Sequence, residues 1–113
     1  MIDGLKDKHR KAIIEILSSS RRVERVVLFG SRAMGTFTPT SDVDIALFGR
    51  ELTLTDHAKF AEAINELSIP QQVDILLHKS IKNEKLLEHI KTHGVEWLSI
   101  RPKIKTAPTD PNN

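Results

Sequence analysis

Three short apolar runs constrain this chain more than any other feature of it. Val23 to Phe29, Asp42 to Phe48 and Gln72 to Leu77 are each six or seven residues long. That is strand length, and each run is set off by Gly, Pro or Ser. In VVLF at 26–29 the apolar residues fall on successive positions. A strand reads that way when both of its faces are covered. Segments of helical period separate the runs, and the order is α-β-(short α)-β-α-β-α. The expected fold class is α/β, a small mixed β-sheet with helices packed on it.

The first helix is expected over 4–18, with Leu5, Ile13, Ile16 and Leu17 on one apolar stripe and Asp3 as its N-cap. SRAM after Gly30 is long enough for a turn or two and stops at Gly35, with Pro39 breaking the loop that follows. Thr55 is the expected cap of a helix over 56–68, with Ala58, Ala61, Ile64 and Leu67 buried. The last helix is expected over 81–93, with Ile81, Leu86, Leu87 and Ile90 inward. VEWL at 95–98 reads as a short strand or a final turn, and Trp97 as core rather than interface.

With 113 residues the chain has room for one core. Residues 1–99 form the expected domain. Residues 100–113, RPKIKTAPTDPNN after Ile100, carry too little apolar surface to fold and are expected to be a flexible tail. No apolar run reaches the roughly 18 residues of a membrane span, and the N-terminus has no apolar leader. Cysteine is absent, which excludes disulfides, thiolate metal sites and cysteine nucleophiles. A cytoplasmic address is the simplest reading. Seventeen Lys and Arg against 15 Asp and Glu give a net charge of +2. With no tyrosine and one tryptophan, that argues against direct nucleic-acid binding. The clusters Arg21, Arg22, Arg25 and Arg101, Lys103, Lys105 read as solvated faces.

The chemistry concentrates in GSRAMGTFTPTSDVDIALFG, residues 30–49. Asp42 and Asp44 are two apart on an expected strand, so both carboxylates leave one face, with Cβ atoms about 6–7 Å apart. Two such carboxylates suit a pair of hard cations about 3.5–4 Å apart. Magnesium needs only a few aspartates when a nucleotide's phosphates complete its shell. Asp74 stands in an apolar strand, where an unpartnered carboxylate is costly. With its strand beside 42–48 it would share their face, and three clustered carboxylates call for a cation. Gly30 lets the backbone approach a phosphate closely, and Ser31 and the first amides of the turn can donate to it. Arg32 either adds charge to that phosphate or forms a surface salt bridge.

GSRAMG, with ten residues between its Ser31 and Asp42 of SDVDIA, and later QVDILL resemble the DNA polymerase β-like nucleotidyltransferase superfamily. The short length and the wording of the motif point to its minimal nucleotidyltransferase branch, and the resemblance covers about residues 4–98. It implies that Gly30 and Ser31 contact the β- and γ-phosphates of a nucleoside triphosphate, ATP by family habit. It implies that Asp42, Asp44 and Asp74 ligate magnesium, two ions in all, with Asp74 also helping to deprotonate the acceptor hydroxyl. It further implies a partner: a small helical HEPN protein, an RNase toxin that such antitoxins neutralise by transferring AMP to a tyrosine hydroxyl. This chain has no tyrosine, so that acceptor lies on another protein and a hetero-oligomer is expected. Helices 56–68 and 81–93 are the candidate docking faces.

Two alternatives remain open at this level. One is an antitoxin that inhibits its HEPN partner by binding alone; the intact Gly30, Ser31 and three aspartates speak against it. The other is a nucleotidyltransferase acting on a small molecule, with a second chain supplying the missing wall. His89 and His93 have the i, i+4 spacing of a zinc pair, but Ile90 stands where HExxH has Glu. They read as free surface histidines.

Overall fold

The computed structural model describes residues 3–99, so the expected tail lies outside the described residues. The elements are α1 (Asp7–Leu17), β1 (Arg25–Phe29), α2 (Ser31–Met34), β2 (Val43–Phe48), α3 (Leu54–Asn65), β3 (Val73–Leu77), α4 (Glu84–His93) and β4 (Val95–Ser99), with a 3-10 turn at His78–Ser80 before α4. The sheet order is β3-β2-β1-β4. β1 is antiparallel to both β2 and β4, while β2 and β3 are parallel. The sheet is mixed because α3 provides the crossover that a parallel pair requires.

Strand alternation sorts the apolar runs into two cores. Val26, Leu28, Val43, Ile45, Leu47, Ile75 and Leu77 pack with Ile13 and Leu17 of α1 and with Phe60 and Ile64 of α3. Val27, Phe29 and Ala46 point the other way and pack with Ile90 of α4. β1 is therefore buried at four successive positions. That two-sided cover is what its unbroken apolar run requires.

Four local expectations are corrected. Asp3 does not cap α1, which starts at Asp7 with Lys6 at the cap position. Asp3 is instead buried, and its carboxylate accepts hydrogen bonds from the Leu5 amide and from Nε and Nη2 of Arg10. Thr53, not Thr55, caps α3, in a reciprocal capping box with Asp56. Phe60 and Ile64 face the core, while Ala58 and Ala61 are exposed. The last helix begins at Glu84, capped by the Asn83 side chain; Ile81 and Asn83 are extended backbone that separates it from the 3-10 turn. VEWL resolves as strand β4, where half-buried Trp97 packs against the larger core.

Candidate active site

The carboxylates are brought together by register. Asp44 is the Cα partner of Phe29 on β1 and of Asp74 on β3. Residues opposite one another in a ladder share a face, so Asp44 and Asp74 project side by side from strands about 4.8 Å apart. That face is the one α4 covers farther along, opposite the larger core. Asp42 precedes β2 by one residue and is exposed. Asp44 and Asp74 are half-buried, and Gln72 Nε2 donates to Asp74 Oδ1 at 3.1 Å.

The field at Asp44 is unfavourable to its charge. Burial, then the neighbouring Asp74 and Asp42, push its carboxyl above the usual carboxylate range. The donor set fits a hard cation, because a divalent ion would relieve this repulsion and magnesium takes oxygen ligands. Among the described residues no three His, Asp or Glu side chains converge as a ready-made metal cage. Magnesium rarely uses one: it is usually held by one or two carboxylates plus substrate phosphates.

Gly30 links β1 to α2 at φ 79°, and a Cβ there would run into the Asp44 carboxylate. Only glycine meets both demands. Ser31 is the first residue of α2, so its amide and that of Arg32 have no i−4 carbonyl within the helix. Both glycine and serine therefore sit beside the carboxylate end of the sheet.

Arg32 does something else. Its side chain is turned inward rather than toward the expected phosphate, and among the described residues no surface acid pairs with it. It is 1% exposed and donates to main-chain carbonyls of Asp3, Thr38, Pro39 and Ser41 at 2.9–3.3 Å. Phe37 lies under the guanidinium, 5.0 Å from its carbon. The planar fork of donors gathers the loop that delivers Asp42 and ties it to the N-terminal segment.

His89 is the group sequence reading passed over. It is half-buried rather than free, and the Gly30 amide donates to its Nε2 at 2.9 Å. The available signal was its position three residues after Leu86 and beside Ile90, on the edge of the buried stripe of α4 rather than opposite it. His93 is exposed, its ring 5.4 Å from that of His89.

A cavity of about 450 Å³ opens beside the carboxylates, lined among others by Phe29, Asp44, His57, Asp74 and Leu76. Acid groups at one side of an apolar wall suit a polar reacting centre carried on a larger group. Among the described residues no helix is long and apolar enough to cross a membrane.

Comparison with known proteins agrees with this geometry. The family model described as "Polymerase beta, Nucleotidyltransferase" matches residues 11–101. Two chains of Methanocaldococcus jannaschii are similar in sequence. "Putative protein adenylyltransferase MJ1379" is 33% identical over 86 residues, 74% of this chain and 82% of that one. "Putative protein adenylyltransferase MJ0141" is 29% identical over 90 residues, 77% of this chain and 89% of that one. Among solved structures, a toxin–antitoxin crystallised with AMP-PNP superposes with a TM-score of 0.67 at 22% identity, covering 91% of this chain and 87% of that chain. A Shewanella oneidensis complex of tri-AMPylated HEPN toxin with MNT antitoxin gives 0.63 at 18% identity, covering 92% and 79%. A minimal nucleotidyltransferase gives 0.61 at 26% identity, covering 84% and 95%. The match spans the sheet, the Gly30–Ser31 turn and all three aspartates, and the chain belongs to the polymerase β nucleotidyltransferase family, as a minimal nucleotidyltransferase.

Proposed function

We propose that this enzyme transfers AMP from ATP, with magnesium, to a tyrosine hydroxyl of a HEPN-type helical toxin and so acts as its antitoxin. The observation that carries the reading is the juxtaposition of Asp44 and Asp74 beside the Gly30 turn, with no cationic side chain bonded to either carboxylate among the described residues. Such a cluster is costly in the free chain and becomes favourable when a cation and phosphates join it. The M. jannaschii relatives named as protein adenylyltransferases and the AMPylated HEPN toxin bound to an MNT antitoxin support the choice of AMP and of a protein acceptor. The missing tyrosine in this chain agrees with an acceptor on another one.

In this reading Gly30 and Ser31 seat the β- and γ-phosphates, and Asp42 and Asp44 hold the magnesium, with Asp74 on the acceptor side. The bound ions would neutralise charge on the triphosphate and lower the barrier to its cleavage. Asp74 accepts the proton of the acceptor hydroxyl. The freed oxygen bonds to the α-phosphorus as the bond from that phosphorus to the bridging oxygen breaks, and pyrophosphate leaves. The cavity edged by His57 and Leu76 is where the acceptor's apolar part is seated.

Intact-mass spectrometry of the partner after incubation with this chain, ATP and magnesium tests the proposal. Increments of whole AMP units are expected, and Asp42→Asn should give none. A stable complex without any mass increment would instead establish inhibition by binding.

A further inference from the structure

The Gly30 amide, in the β1–α2 turn, donates to a side chain from elsewhere in the fold, 59 residues along the chain. Nε2 of His89 accepts it, so in this state that nitrogen carries no proton and the neutral ring holds its proton on Nδ1. The ring is held in turn. It stands edge-on to Phe29, with centroids 6.1 Å apart and planes at 76°. Its helix is fixed at the start by the Asn83 cap and on its inner side by buried Ile90. Gly30 adopts a left-handed conformation that other residues rarely take, and a Cβ there would run into the Asp44 carboxylate. The peptide that carries the Gly30 amide is the last of β1, and Ser31 follows directly.

We propose that His89 is a positioning residue for nucleotide binding: by taking the Gly30 amide it locks the phosphate turn against Asp44 and aims Ser31 outward. This rests on the nucleotidyl-transfer reading above. Without an acceptor on α4, a part-buried amide is left unpaired and the turn is free to rotate away from the geometry that presents Ser31. A glutamine can supply an acceptor oxygen at similar reach; an alanine cannot.

The test uses the full chain, His89→Ala, His89→Gln and, as a control, His93→Ala. The probe is a non-hydrolysable ATP analogue with magnesium, and the second readout is the Gly30 amide by nitrogen-15 NMR. In the unsubstituted chain a coupling across the hydrogen bond to Nε2 is expected. His89→Ala should move the Gly30 resonance and weaken analogue binding about tenfold, the size of one lost hydrogen bond. In turnover the loss should fall on KM more than on kcat. His89→Gln should restore binding to within about threefold, and His93→Ala should change neither readout. Analogue binding by His89→Ala equal to the unsubstituted chain would overturn the role of His89 alone. Failure of the unsubstituted chain to bind would overturn the nucleotidyl-transfer reading itself, whatever the Gly30 resonance does. Should His89→Ala fail to fold, the ring decides: a proton on Nε2 of the unsubstituted chain overturns the proposal.

Discussion

Two aspartates of this chain, Asp3 and Asp44, sit in opposite fields. At Asp3 burial works against the charge, but the Arg10 hydrogen bonds, the Leu5 amide and the Arg10 charge outweigh it and hold the carboxyl below its usual range. Nearby, Arg32 spends its donors on four carbonyls. The two buried charges of that corner, Asp3 and Arg32, are satisfied from within. At Asp44 burial again opposes the charge, but the neighbours are Asp74 and Asp42, and the carboxyl is pushed up. One cluster is closed and holds the fold together. The other is open: among the described residues no cationic side chain is bonded to Asp44 or Asp74.

The comparison breaks first at the open cluster. Asp42→Asn and Asp44→Asn should each reduce AMP transfer to background, because a neutral amide is a poor ligand for a hard cation. Circular dichroism should show the fold intact. Retained transfer in either variant would remove the metal assignment.

The closed cluster should fail in stability instead. Arg32→Met takes the donor from one buried carbonyl, that of Asp3, and from three part-buried ones, and about 3 kcal/mol of unfolding free energy should be lost, read from urea titration. Arg32→Lys should recover little, since an ammonium cannot reproduce the fork. The folded fraction of Arg32→Lys should still bind nucleotide. A loss of binding out of proportion to stability would return Arg32 to the phosphate site. Asp3→Asn leaves Arg10 without its buried acid and should cost about 2–3 kcal/mol, read the same way.

The smallest effect sharpens the contrast most. The folded carboxyl of Asp3 is lowered, so its contribution is full above the ordinary value of 3.8 and fades as pH falls through the lowered one. The folded carboxyl of Asp44 is raised, so it penalises folding progressively as pH rises from 3.8 through the raised value. Metal-free Asp44→Asn should therefore melt higher than the unsubstituted chain at neutral pH, and Asp3→Asn lower. Both differences should shrink on acidification, in thermal scans across pH 3–7. A lower Tm for Asp44→Asn would mean that its cluster is closed after all.

Strand identity was legible because apolar runs of strand length admit few other fates. The Asp42–Asp44 pair was legible because alternation is local. The pairing of Asp44 with Asp74 needed a register, and that depends on α3 carrying the chain across to lay β3 parallel to β2. The start of α3 was misplaced by two residues, since Thr53 and Thr55 are both plausible caps and only Asp56 reaching back selects between them. The inward face is Phe60, Ile64 and Leu67, an i, i+4, i+7 stripe, rather than the stripe through Ala58 and Ala61.

The sequence by itself determined the order of elements through the last helix, the two-sided burial of β1 and the glycine that ends it. Each follows from chemistry within a few positions of the chain. Only the tertiary structure decided which polar groups are already spoken for. Arg32 is spent on carbonyls of residues up to 29 positions away, and His89 takes an amide 59 positions away. A hydrogen bond has a reach of about 3 Å in space and none along the sequence, so which polar group is free is a property of the fold alone.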